Sequence, residues 1–350
     1  MANEQIPIID THIHLFSASE LETLAWATGK PSNPLYAQHS ISEYRAATGS
    51  PANLQGFVFL ETDRIQNLDD EAGWKYPLEE VDWLRRIVEG TPREGEGHQP
   101  ADADLCLGIV PWAPLPLGRK AVAKYVSLVQ ERAGLKGWPK VKGFRYLVQD
   151  KPPGVMLGEG FIDGLKWIGE MGFTFDLGVD QRSGGDWQLE EAVEMLEKVT
   201  EGVKEENMVR MVINHQCKPN MRVKPENTPK DASFQAWKSL VQKMAAFPNT
   251  CMKLSGGFAE LPPQDPTSPW PIQKIVDHIR PWTDITFEAF GTSRVLFASD
   301  WPVCNPGGAG NGHAWGNWRR VVETLCEERG LSREEKGMVF SGNARKWYNL

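Results

Sequence analysis

Two histidines one residue apart close the first strand-like run, in Asp10-Thr11-His12-Ile13-His14. Residues i and i+2 of a strand share a face, so His12 and His14 converge on one point while Ile13 turns away. Imidazoles meeting at a point suit a divalent ion such as zinc, or a held water. Two satisfied core histidines are the plainer alternative. Far downstream, Val295-Leu296-Phe297-Ala298-Ser299-Asp300-Trp301-Pro302 is an apolar run that ends on a carboxylate. Beside paired imidazoles, Asp300 could ligate a metal, take a proton from an attacking water and return it to a leaving group.

Other run ends also carry polar side chains. His215, in Ile213-Asn214-His215-Gln216, could be a further ligand or could polarise a carbonyl. Arg145, in Gly143-Phe144-Arg145-Tyr146, could grip a substrate oxygen or form an ion pair with Glu61 or Asp176. Glu61 and Asp63 follow the second run, Asp176 lies within the fifth and Lys253 within the seventh. A charge pointing into a core needs a partner, so each is a ligand, a support or a binder of substrate hydroxyls. His98 reads as solvated and His278 as surface or packing, whereas His39 and His313 lie in long insertions.

These residues meet only if the fold brings the chain's end to its beginning. Eight short apolar runs are spaced along the chain, at 6–13, 56–60, 105–110, 141–147, 173–179, 208–213, 251–254 and 295–298. Near-continuous apolar character suggests strands buried on both faces, as in a parallel sheet. Between them lie helical patterns, among them Val81, Leu84 and Val88 behind Pro77-Leu78-Glu79-Glu80, and Phe234, Trp237 and Val241. The pattern predicts an α/β chain folded as a (β/α)8 TIM barrel, with long loop insertions after strands one and eight. Closure sets the last strand beside the first, and Asp300 beside the histidine pair. Without a repeat or linker, residues 1–350 are expected to form a single domain.

Composition narrows the partners. The 350 residues carry 38 Lys and Arg against 46 Asp and Glu, a net charge of −8, with no basic block. That excludes nucleic acid and anionic membrane as expected partners. Neither a spanning apolar run nor a basic-then-apolar leader is visible, so a soluble, cytoplasmic protein is expected. The five cysteines are scattered and read as reduced core thiols. There is no Gly-x-Ser-x-Gly elbow and no dinucleotide fingerprint. The 14 tryptophans read either as aromatic walls of ordered loops or as a buried loop core.

Taken as a set, Ile9-Asp10-Thr11-His12-Ile13-His14, Ser299-Asp300-Trp301-Pro302 and Gly342-Asn343-Ala344 resemble the second large branch of the amidohydrolase superfamily. Gly143-Phe144-Arg145, Asn214-His215 with Lys218-Pro219, and Lys253-Leu254-Ser255-Gly256 are similar to its sugar-lactone and pyrone-dicarboxylate lactonase group. The stretches 56–63 and 176–183 look most like fungal L-rhamnono-1,4-lactonases.

The resemblance implies a lactonase that opens a cyclic ester of an aldonic acid, with Asp300, His215 and Arg145 catalytic. It implies one divalent metal, zinc in first place, at His12, His14 and Asp300 with Glu61 completing the set; metal-free catalysis is the alternative. Zinc-dependent relatives use histidines from both the fifth and sixth strands, whereas the fifth run here offers Asp176 and Asp180. Glu61, Asp176, Gln181, Trp301 and Trp315 are expected to orient sugar hydroxyls. The partner is a small-molecule lactone, and a homodimer is the candidate assembly. The rivals are a metal-dependent decarboxylase of aromatic or unsaturated acids on the same scaffold, and a non-catalytic barrel that only binds a ligand.

Overall fold

A computed structural model describes residues 5–265 and 268–350. Eight parallel strands follow one another in chain order: β1 (Ile8–Ile13), β2 (Leu54–Leu60), β3 (Cys106–Val110), β4 (Gly143–Arg145), β5 (Thr174–Leu177), β6 (Arg210–Ile213), β7 (Thr250–Leu254) and β8 (Val295–Phe297). Continuous ladders run β1-β2-β3 and β4-β5-β6-β7-β8. Two short seams close the ring. Bridges from Ile109 to Val141 and from Trp112 to Arg145 join β3 to β4, and a bridge from Ile13 to Trp301 joins β8 to β1. At the second seam Asp300 N donates to His12 O at 2.9 Å, and His14 N donates to Trp301 O at 2.8 Å. The result is the expected barrel.

A helix follows each strand: α1 (Ile41–Thr48), α2 (Lys75–Glu89), α3 (Gly118–Gly137), α4 (Glu159–Glu170), α5 (Asp186–Thr200), α6 (Ala232–Ala245), α7 (Ile272–Phe290) and α8 (Ala314–Glu328). α2 begins at Lys75, two residues before Pro77, because first-turn amides need no intrahelical acceptor and tolerate proline there. None of these helices is long and apolar enough to cross a membrane.

Period-2 alternation sorts the strand side chains into two cores. On β2, Phe57 and Phe59 pack into the large layer under the helices, while Val58 and Leu60 fill the barrel interior. A last helix, α9 (Asn343–Tyr348), adds Ala344, Trp347 and Tyr348 to that interior cluster. The five cysteines are buried and unpaired. His98, expected to be solvated, is buried against Trp83, and His278 packs in α7 with Nε2 at 2.7 Å from Met221 O.

The seam between β1 and β8 is fastened by one buried carboxylate. Asp10 accepts from Ser299 N at 2.8 Å, Ser299 Oγ at 2.6 Å, Trp315 Nε1 at 2.8 Å and Tyr44 Oη at 3.1 Å. Burial pushes its carboxyl up, against the pull of these donors. Asp10 thereby ties β1, β8, α1 and α8 together. Trp315→Phe removes one donor and should cost about 1–3 kcal/mol. A denaturant titration checks this; an unchanged midpoint would contradict the assignment.

Candidate active site

Simple alternation would turn His12 to the same side as Asp10, outward. The β1–β2 pairing shifts register between Asp10 and Ile13, and the shift turns His12 inward with His14. Their Nε2 atoms lie 3.1 Å apart. Asp300 Oδ1 is 3.5 Å from His12 Nε2, 3.7 Å from His14 Nε2 and 3.7 Å from His215 Nε2. Four side chains from three strand ends thus meet at the mouth.

Each ring is aimed by its other nitrogen. His14 Nδ1 faces the carbonyl oxygens of Leu60 and Glu61 at 3.1 and 3.0 Å, so it carries the proton and leaves Nε2 as an acceptor. His215 Nδ1 lies 2.7 Å from Ser255 Oγ, a hydroxyl that can donate or accept. Gly256 lies behind that ring with φ 67°; a Cβ there would sit 2.9 Å from the imidazole, so only glycine fits. His12 Nδ1 faces Lys253 Nζ at 3.3 Å.

Burial sets the charges. It drives His12 well below the usual histidine range, aided by the Lys253 charge, and takes His215 down to about 3 against the opposing pull of Asp300. For Asp300 burial acts upward, but His215, His14 and Lys218 outweigh it and hold the carboxyl below its ordinary value. At neutral pH an ionised carboxylate therefore stands beside the neutral imidazoles of His12 and His215, which is a general base awaiting a proton.

A cavity of about 280 Å³ opens over this group. Phe16, Trp26 and Leu35 from the insertion after β1, with Pro302 and Val303 after β8, form its apolar wall. The two expected insertions thus roof the mouth. The polar lining is His14, His215, Asp300, Arg145, Thr62, Asp63, Asn214, Gln149 and Lys218. Backbone strain gathers here: among the described residues, six of the nine non-glycine ones with left-handed φ are Asp63, His215, Gln216, Cys217, Lys218 and Asp300.

The five residues expected to orient hydroxyls lie outside this lining. Glu61 is buried, with Oε1 at 2.5 Å from Arg145 Nε and Oε2 accepting from Asp63 N at 2.6 Å. Both oxygens are engaged, so Glu61 completes no ligand set, and Arg145 takes the ion-pair alternative while its Nη1 remains open to a ligand. Asp176 lies deeper in the barrel, held by Lys253 Nζ at 2.5 Å and by Tyr348 Oη at 2.9 Å. Gln181 Nε2 donates to Asp186 Oδ1 and to Ser233 O, both at 2.7 Å, which ties it to the first turns of α5 and α6. Trp301 donates to Asn311 Oδ1 at 2.7 Å and packs on Tyr44, and Trp315 is spent on Asp10. Tryptophan here is loop core, except Trp26.

Asp63, the carboxylate that follows Glu61, lines the cavity and has a property of its own. Burial, reinforced by the charges of Glu61 and Asp150, pushes its carboxyl up to about 7. The native protein then keeps a proton that an unfolded aspartate releases above about pH 3.9. Its charging opposes folding increasingly from about pH 4 to 7, and fully above that. Asp63→Asn, which also suits φ 54°, should raise the denaturation midpoint more at pH 8 than at pH 5. Equal gains at both would refute this.

The donor spacing also bears on a cation. A tetrahedral ion with bonds of about 2.0–2.1 Å has ligand atoms about 3.3–3.4 Å apart. The ligand atoms of His12, His215 and Asp300 all lie within 4.8 Å of one another, with the 3.5 and 3.7 Å pairs near that edge. The set fits a divalent ion by spacing. Lys253 at His12 Nδ1 opposes it, because an ammonium there donates to the ring and leaves the proton on Nε2.

The amidohydrolase family model matches residues 9–350, and the chain belongs to that family. It is 35% identical over 349 residues to an L-rhamnono-gamma-lactonase of Scheffersomyces stipitis, covering 98% of each protein. An L-fucono-1,5-lactonase of Burkholderia multivorans is 26% identical over 60% of this chain and 64% of its own. In fold, the chain is similar to a zinc-bound amidohydrolase from Burkholderia multivorans, with TM-score 0.70, 21% identity and coverage of 98% and 99%.

Proposed function

We propose that this chain, as one cytoplasmic domain of residues 1–350, hydrolyses a sugar-acid lactone, with L-rhamnono-1,4-lactone the first candidate. The observation that carries the reading is the ionised Asp300 held 3.5–3.7 Å from three imidazoles under a small cavity. The near-full-length similarity to a rhamnono-lactonase supports the substrate class.

Asp300 takes a proton from a water held at His14, and the water oxygen attacks the ring carbonyl carbon. His215 donates from Nε2 to the carbonyl oxygen when Ser255 donates to its Nδ1, and Arg145 donates from Nη1. Asp300 then returns its proton to the departing ring oxygen. Asn214 is suited to read a hydroxyl, since neither polar atom of its buried amide has a partner among the described residues. The apolar wall covers the carbon face of the ring. In place of that His215 donation, a divalent cation, zinc in first place, would be held by Asp300, by His215 and by His12 once its Nε2 proton is lost, and would supply Lewis-acid polarisation of the carbonyl.

Base uptake during turnover of a panel of aldono-lactones tests the reading, before and after chelation with metal analysis. Acid release from 1,4-lactones is expected. Activity lost on chelation and restored by zinc assigns the polarisation to the ion, whereas activity surviving in metal-free protein leaves it with His215 and Arg145. Silence on every lactone, with carbon dioxide released from aromatic acids, would overturn the proposal.

A further inference from the structure

Opening an uncharged lactone creates charge. The carbonyl carbon gains the water oxygen, the ring C–O bond breaks, the ring oxygen takes one proton through Asp300, and the new acid loses the other to solvent. The carboxylate so formed appears beside Asp300, itself an anion, and two like charges in a partly buried cavity repel.

Two cations line the cavity. Arg145 is committed to Glu61 at 2.5 Å. Lys218 forms no ion pair among the described residues; its Nζ donates only to the neutral Gln149 Oε1, at 2.9 Å, and two N–H bonds remain. Its backbone is held unusually firmly. His215, Gln216, Cys217 and Lys218 are four consecutive left-handed residues, with φ of 53°, 51°, 63° and 46°. Such a run costs about 1–2 kcal/mol per non-glycine residue. It is tied down by Trp237 Nε1 to Gln216 O at 2.7 Å, by Gln216 Nε2 to Thr286 Oγ1 at 2.8 Å, and by Arg182 N to Lys218 O at 3.1 Å. His215 and Lys218, the two ends of this turn, both line the cavity. The Lys218 charge reaches both His215 and Asp300 and helps to hold each of them down.

We infer that Lys218 is the product-binding residue, taking the carboxylate of the open-chain acid as the ring opens. The inference rests on the lactonase reading and deepens it. Its test compares inhibition by the aldonate product with KM for the uncharged lactone, in the wild-type protein, Lys218→Met and Lys218→Arg. Loss of a charged hydrogen bond corresponds to a rise in the aldonate Ki of roughly 10- to 100-fold in Lys218→Met, with KM moving far less. Lys218→Arg should recover most of the loss. In the wild type, added salt should weaken aldonate inhibition without weakening that by the matching uncharged alditol. An unchanged Ki, Ki and KM rising together, or salt-independent aldonate inhibition would each overturn the inference. The wild-type salt dependence and Lys218→Arg keep the inference refutable even if the methionine variant does not fold. Failure to hydrolyse any lactone would instead remove the reading beneath it.

Discussion

Asp300→Asn lowers kcat by about 10²–10⁴-fold while the protein melts close to the wild type; this is the largest effect expected on activity. The substitution keeps size and shape and removes only basicity. The site favours a clean result, because Asp300 has φ 61° and asparagine tolerates that conformation better than most residues. The neighbouring imidazoles are not left charged without a counter-ion, since His215 and His12 are driven low by burial. Circular dichroism with steady-state kinetics reads both halves. Near-full turnover in a folded Asp300→Asn protein would rule out its role as base.

The largest effect on stability belongs to Arg145→Met. Glu61 and Arg145 are both buried, and the guanidinium meets Glu61 twice, at Oε1 and at the backbone oxygen. Removing the arginine strands a carboxylate, which costs about 3–5 kcal/mol, far more than a surface pair would. Methionine fills most of the volume, so the loss is electrostatic and not a cavity. Arg145→Met with Glu61→Gln should regain much of the stability, because no lone charge then remains. Turnover should stay low in both, since the Nη1 donor is gone. Urea unfolding separates the cases, and a single variant as stable as the double one would contradict the burial argument.

The barrel was legible because buried parallel strands are continuous apolar runs, and all eight were predicted within a few residues of where they lie. The assembly of His12, His14, His215 and Asp300 followed from strand ends and closure alone. The walls were not legible. Trp301 and Trp315 were expected to meet substrate because indoles in Gly/Pro-rich loops look like binding surfaces, yet each has its N–H satisfied by a residue outside the cavity lining. Asp176 faces the interior as expected, but at a depth set by Tyr348, and no local pattern links a β5 carboxylate to a tyrosine 172 positions later. Lys218 was passed over for a related reason. Nothing in His215-Gln216-Cys217-Lys218 announces four left-handed residues, since none is glycine; tertiary hydrogen bonds impose the turn.

The seam between β1 and β8 has a consequence in time. Asp10 and Ser299 are 289 positions apart. A ribosome adding about 5–20 residues per second takes roughly 15–60 s to cross that gap. Throughout it, β1 has been made but one edge of it has no strand to pair with, and its two histidines face no carboxylate. The nascent chain thus carries an open sheet edge for most of its synthesis, until the last sixth of the polypeptide emerges and shuts the ring.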